Sequence, residues 1–281
     1  MHRGDLKKNK THPVDPYQVR KLTGVNVYIV PYLDDNYGYI LEDRKTGDLA
    51  IIDGADPEAI FDTLEHHELS TQDIKAVLTT HKHWDHAGGN AILSERIPQL
   101  KIYSGEIDRA HASTDLLEDG ESLQIGESKV TGMLTACHTR GHMMYIVGSE
   151  GETLAFTGDF LFMSGTGKFF EGNAAEMASC IDTLNEFPAE TMLFYGHEYG
   201  ENNLRFTTWL DPDNQAAAKK LEEVSDAIDN RESPLPGILK EERDYNPFLR
   251  AGLDEMFSIT GKKDRIEAMD RIRSLKNKET H

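Results

Sequence analysis

Two cysteines in 281 residues, Cys137 and Cys180, are too few for a disulfide framework, and that scarcity suits a reducing compartment. No stretch approaches the roughly 18 consecutive apolar residues that a membrane-spanning helix requires. Positive charge is short as well: 30 Lys and Arg stand against 49 Asp and Glu, a net charge of -19. Nucleic acid and anionic membrane are therefore excluded as expected partners, and an anionic substrate needs a locally basic pocket to overcome the general field. The first 24 residues lack the apolar core of a secretory signal. They carry Arg3, Lys7, Lys8 and Lys10, which is compatible with mitochondrial transit. Asp5, Asp15 and the shortage of serine favour a flexible leader on a cytoplasmic protein instead. Nothing in the chain calls for an oligomer, so a monomer is expected. A nucleophilic serine motif is also missing, which turns attention to metal chemistry.

What the chain does have is Thr79-Thr80-His81-Lys82-His83-Trp84-Asp85-His86, directly after the apolar run Ala76-Val77-Leu78. Three imidazoles and a carboxylate crowd one loop at the end of a buried strand. His81 and His83 alternate onto one side of such a loop and can grip one metal, while Asp85 and His86 lie far enough along to grip another. Neutral imidazole and carboxylate oxygen suit zinc, iron or manganese, and the lack of thiolates argues against a closed structural zinc site. No packing requirement would place four such groups together.

Three further candidates stand at the ends of short apolar runs: His138 after Leu134–Cys137, Asp159 after Leu154–Gly158, and His197 after Met192–Gly196. Strand ends are where loops carry function on a rigid scaffold. Each residue alone could be an ordinary core or surface group. Together with the loop cluster they read as one site.

The segments LTTHKHWDHAGGN, ACHTRGHMMY, FTGDFLF, GKFFEGN, YGHEYGENNLRF and NPFLR resemble, in order, glyoxalase II, the hydroxyacylglutathione hydrolase branch of the metallo-β-lactamase fold. The resemblance implies an α+β fold, an αββα sandwich with a C-terminal helical domain. It also implies that His81, His83 and His138 hold a first divalent ion and that Asp85, His86 and His197 hold a second. Asp159 would bridge the two, and Asp85 and Asp159 would be the catalytic carboxylates. Lys168 and Tyr199 match substrate contacts of the family. Arg273 and Lys276 resemble the pair that holds the glycine carboxylate of glutathione. Phe170 is a departure, standing where the family usually has a tyrosine; losing that hydroxyl should cost roughly 0.5–1.5 kcal/mol. It also brings the chain closer to the glyoxalase II-like protein of paroxysmal nonkinesigenic dyskinesia than to the housekeeping enzyme.

The pattern along the chain predicts a leader over 1–24, a catalytic domain over 25–198 and a helical substrate-recognition domain over 199–281. Val25–Val30, Tyr39–Leu41 and Leu49–Ile52 read as strands, the last closed by Asp53-Gly54. Asp53 is a candidate acceptor for a ligand imidazole, fixing its tautomer; a plain turn aspartate is the alternative. Pro57–His67 reads as a helix capped by Asp56. After His197 the chain reads as helix only, with the proline-rich stretch 233–237 as a separator. In the last helix Ile266, Met269, Ile272 and Leu275 form an apolar stripe, with Arg273 and Lys276 beside it.

The expected chemistry follows. Two divalent ions about 3.5–4 Å apart can share a water and lower its pKa towards about 7, giving a bridging hydroxide that attacks a carbonyl. A thiolate leaves without a proton, so a thioester such as S-D-lactoylglutathione is the fitting substrate. Two other classes stay open. One is a mononuclear iron oxygenase resembling the persulfide dioxygenases. The other is a glyoxalase II-like protein with weak hydrolysis and a binding or regulatory role.

Overall fold

The structure, a computed structural model, describes residues 12–278. A first sheet of seven strands runs in chain order: β1 Gln18–Lys21, β2 Val25–Tyr32, β3 Asn36–Asp43, β4 Leu49–Ile52, β5 Ile74–Leu78, β6 Lys101–Gly105 and β7 Asp115–Leu117. Its first half is antiparallel, and β4 through β7 are parallel. The second sheet contains β8 Ser122–Ile125, β9 Ser128–Leu134, β10 Met143–Ser149 and β11 Glu152–Gly158. A small hairpin, β12 Leu161–Phe162 with β13 Gly165–Thr166, leads on to β14 Met192–Tyr195, which lies parallel to β11. β15 Gly237–Ile238 closes the edge beyond β14.

Alternation along the strands sorts side chains onto two faces. Val27, Ile29, Tyr39, Leu41, Ala50, Ile52, Ala76 and Leu78 share one core with Val130, Tyr145, Val147 and Phe156 of the second sheet. Their neighbours Tyr28, Val30, Ile40, Leu49, Ile51 and Val77 form a separate core with Ile60 and Leu64 of α1 Pro57–His66. The tiny helix α2 Trp84–Ala87 precedes α3 Asn90–Arg96, which adds Leu93 to that layer. α4 Ala174–Asn185 inserts Met177, Ile181 and Leu184 into the first core. The result is helix, sheet, sheet, helix: the expected α+β sandwich. The C-terminal region adds α5 Gly200–Leu210, α6 Gln215–Asp229, α7 Leu239–Tyr245, α8 Asp254–Thr260 and α9 Arg265–Lys278.

Three expectations need correction. The leader over 1–24 does not hold from residue 12 onward; residues 1–11 lie outside the described residues. Val14 is buried in the main core, β1 pairs with β2, and Arg20 donates to the carbonyls of Ser233 and Leu235. The segment looks polar because an edge strand keeps one flank in water. Second, the region after His197 is not helix only. Residues 233–237 lead into β15, whose Gly237 leaves room for Tyr195: a Cβ there would meet the phenol oxygen at 2.1 Å. Third, the stripe on α9 is narrower than expected. Met269 and Ile272 are buried, Leu275 is partly so, and Ile266 is exposed.

Candidate metal centre and substrate cleft

The chemistry-bearing side chains gather where strands end, the edge at which open sheets place their ligands. Asp53 follows β4, the His81–His86 loop follows β5, Asp159 follows β11 and His197 follows β14. Gly158 makes the turn possible. Its φ is +49°, and a Cβ would meet His142 Nε2 and Thr80 Oγ1 at 2.7 Å.

Three groups of donors have their atoms within 4.8 Å of one another: His81, His83 and His138; His81, His86 and Asp159; and Asp85, His86 and His197. Asp159 turns Oδ2 to His138 Nε2 at 3.3 Å, and Oδ1 to His86 Nε2 and His197 Nε2 at 3.3 and 3.4 Å. Asp85 Oδ2 lies 3.5 Å from His197 Nε2. The residues expected to form two metal positions with a shared carboxylate are thus brought together in two adjoining clusters.

The outer ring nitrogens are already committed. His86 Nδ1 donates to Asp53 Oδ2 at 2.9 Å, His197 Nδ1 to Asp35 Oδ1 at 2.8 Å, and His138 Nδ1 to the carbonyl of Lys168 at 3.0 Å. His81 Nδ1 faces Thr80 Oγ1 at 3.1 Å, and that hydroxyl donates to Asp53. With those protons fixed, the inward nitrogens of His81, His86, His138 and His197 carry lone pairs in the neutral rings. They point at one another: His81 Nε2 to His83 Nδ1 at 2.9 Å, His138 Nε2 to His83 Nδ1 at 3.0 Å, and His86 Nε2 to His197 Nε2 at 3.2 Å. Converging lone pairs repel unless a cation lies between them. Asp159 Oδ1, buried and without a well-directed hydrogen bond, completes the demand. The donor set fits divalent metal.

Electrostatics point the same way. Burial holds His81 and His138 below the usual histidine value, as neutral ligands require. Burial opposes charge on His86 too, but the carboxylates of Asp159 and Asp53 overcome it and raise its pKa well above the ordinary range. His197 is also opposed by burial, yet Asp159 and Asp35 lift it to about 9. Asp159, despite its own burial, is held well below the usual carboxylate value by His197 and His86. This pocket calls for positive charge.

Above the cluster opens a cleft of about 600 Å³, within the usual range for small-molecule sites. His83, Asp85, His138, Asp159 and His197 line it together with the cationic Lys168, Arg273 and Lys276. Tyr199 stacks on His197, ring centroids 4.8 Å apart and planes within 7°. Phe170 is 62% exposed at the mouth, its ring 5.1 Å from that of His138 and beneath Lys168 Nζ at 5.9 Å. Arg273 is buried and donates to Thr166 O at 3.0 Å, with its guanidinium over Phe248. Lys276 Nζ donates to Asn202 Oδ1 at 2.6 Å and lies over Phe206.

Residues 33–197 match the metallo-β-lactamase superfamily, and residues 198–279 match the hydroxyacylglutathione hydrolase C-terminus. A curated relative, the cytoplasmic hydroxyacylglutathione hydrolase of Arabidopsis thaliana, is 41% identical over 261 residues, covering 90% of this chain and 98% of its own. The chain belongs to the hydroxyacylglutathione hydrolase family. Similar folds include ETHE1 from Myxococcus xanthus, at TM-score 0.61 and 20% identity, with 85% of each chain covered. A metallo-beta-lactamase from Staphylococcus aureus matches at TM-score 0.60 and 18% identity, covering 90% of this chain and 72% of that one. At such identity these two speak for the fold alone. As a member of the superfamily with these histidine and aspartate clusters, the hydrolase binds divalent metal. Among the described residues no helix is long and apolar enough to cross a membrane.

Sequence reasoning missed several members of this hydrolase's site. Asp35, which accepts from His197, and Asn36, which donates to Asp85 Oδ2 at 3.1 Å, sit in an ordinary-looking turn. His142 stands behind the cluster, accepting from the Asp159 amide at 3.0 Å and facing Thr135 Oγ1 at 2.8 Å. Its position in the same GH-containing stretch as His138 was the available signal. Trp84, 69% exposed, lines the cleft between two ligand candidates.

Proposed function

We propose that this chain hydrolyses S-2-hydroxyacylglutathione thioesters, S-D-lactoylglutathione among them, using two divalent ions drawn from zinc, iron and manganese. The observation that carries the reading is the lining of one cleft: a cation-demanding cluster of histidines and aspartates shares it with the cationic side chains of Arg273, Lys276 and Lys168. His81, His83 and His138 would hold one ion and Asp85, His86 and His197 the other, with Asp159 between them. Metal held there supplies Lewis acidity, which activates water and polarises the thioester carbonyl. The protein's own groups do the rest. Asp53 and Asp35 fix the tautomers of His86 and His197, and His142 holds the backbone of Asp159. Phe162, Phe170 and Tyr199 wall the reacting end and restrict water.

In the same cleft, Arg273 and Lys276 offset the repulsion that a chain of net charge -19 exerts on an anion. A thiolate leaves without a proton, so the reaction needs no dedicated general acid. The name of the Arabidopsis thaliana relative supports the same substrate class. The test is release of free glutathione from S-D-lactoylglutathione by metal-loaded protein. Uptake of one iron per chain and oxygen-dependent turnover of a persulfide would overturn it.

A further inference from the structure

The hairpin β12–β13 connects the metal cluster to the substrate cleft. Asp159 precedes it, and Lys168, whose carbonyl accepts from His138 Nδ1, follows it. Phe162, Ser164, Gly165 and Thr166 of the hairpin line the cleft. A two-residue pairing of this kind has little stability of its own. Its buried backbone groups are instead held by side chains from the C-terminal region. Asn246 Nδ2 donates to Gly165 O at 3.2 Å and Phe162 O at 3.5 Å, and Asn203 Nδ2 to Met163 O at 3.0 Å. The Ser164 amide donates to Glu242 Oε2 at 3.0 Å, and Ser164 Oγ pairs with Thr207 Oγ1 at 2.7 Å. Glu242 is fully buried, and it also accepts from Tyr195, Tyr245 and Asn246 at 2.9, 2.7 and 2.8 Å.

We propose that Glu242 and Asn246 are positioning residues for the reaction: by gripping the 162–165 backbone, they hold Asp159 and the His138 anchor in register with the cleft wall. The pair reaches both the cluster and the cleft wall from one place. Tyr195, which donates to Glu242, closes β14 just before His197, so the same carboxylate also touches the strand that delivers a second cluster member. A buried carboxylate that gathers four donors on two oxygens fixes geometry more than it adds stability. Burial pushes its pKa up and the surrounding donors pull against it, leaving it raised to about 7. Neither residue touches the cleft or the cluster directly, so their influence passes through the hairpin.

The inference rests on the metal-site part of the proposed function, and its test is chosen to fail separately. The full chain is loaded with cobalt(II), and its visible spectrum and its affinity by chelator competition are recorded alongside KM and kcat on S-D-lactoylglutathione. Asn246→Ala and Glu242→Ala are expected to shift the cobalt bands, weaken cobalt binding roughly tenfold or more, and raise KM while lowering kcat. Glu242→Gln should restore the parent's spectrum: its carbonyl can still accept from Ser164 and Asn246, while its amide donates to the two phenol oxygens. A purely structural role would lower the melting temperature and leave spectrum, affinity and KM per folded molecule unchanged, and that result overturns the proposal. So does a Glu242→Gln protein as impaired as Glu242→Ala. If the alanine variants do not fold, the near-isosteric Thr207→Val decides. It should weaken cobalt binding roughly threefold, and an unchanged spectrum and affinity overturn the proposal. Failure of the parent to release glutathione would sink the thioesterase reading alone, because the cobalt readouts need no thioester.

Discussion

His138 Nδ1 lies 3.0 Å from the carbonyl oxygen of Lys168, so one residue serves two masters: its backbone orients a metal-ligand candidate while its side chain lines the substrate cleft. The two roles are separable by mutation. Lys168→Ala removes the ammonium and keeps the carbonyl. KM for the glutathione thioester should rise roughly tenfold, the size of one charge-assisted contact of about 1.5 kcal/mol, with metal content unchanged. Steady-state kinetics beside elemental analysis check this. Loss of metal in the variant would show that the side chain, not the carbonyl, supports His138.

Asp159 faces both clusters, which separates its loss from that of any single histidine. The purified protein should hold close to two ions per chain, and chelation should abolish turnover until metal is restored. Asp159→Ala should lower kcat by orders of magnitude and change KM much less, because its place is at the reacting centre. A variant that retains both ions and the parent's kcat would rule out a bridging role.

Asp35 offers a cleaner probe of ligand orientation than Asp53. Asp53 is buried and also accepts from the Thr80 amide at 2.8 Å, so its removal would leave that donor unpaired and destabilise the fold. Asp35 is partly exposed, and its Oδ1 accepts from His197 Nδ1. Asp35→Ala should weaken the ion at the Asp85, His86 and His197 position by about 10–100-fold and spare the other. Thermal stability of the metal-free protein should barely change. Metal titration with two resolved affinities is the measurement, and equal weakening of both positions would count against this assignment.

The ligand candidates were legible because each combines a rare chemistry with a strand end, so periodicity and residue type agree on one place. His81, His83 and His86 needed no tertiary information to be grouped. Asp35 and Asn36 did. They lie in a turn of unremarked composition, and they meet the site only because the start of β3 bridges to His197. β1 and β15 escaped detection for a different reason: both are short edge strands, and neither shows an apolar alternation of its own. Glu242 stands between Glu241 and Arg243 with nothing in the local sequence to mark it. Its burial comes from Tyr195 and the hairpin, contacts that no local pattern encodes.

Arg273 and Lys276 remain the sharpest test of what the cleft recognises. Truncation before Arg265 would be a poor probe, since α9 buries Met269 and Ile272 against the main core and its loss would open that core to water. Arg273 also braces Thr166 O, so its removal loosens the cleft wall as well as removing a cation. Lys276, held by Asn202 and Phe206, is the more selective handle. Lys276→Ala should raise KM for glutathione thioesters roughly tenfold, by loss of a contact of about 1.5–3 kcal/mol. Thioesters lacking the glycine carboxylate should be little affected. The Arg273→Ala, Lys276→Ala double variant should widen that gap further. Phe170→Tyr should act in the opposite direction, because a hydroxyl at the exposed mouth of the cleft can reach the peptide backbone of the substrate. If the double variant discriminates between the two thioester classes as the parent does, the last helix is a packing element only, and recognition of glutathione falls to Lys168 and Tyr199.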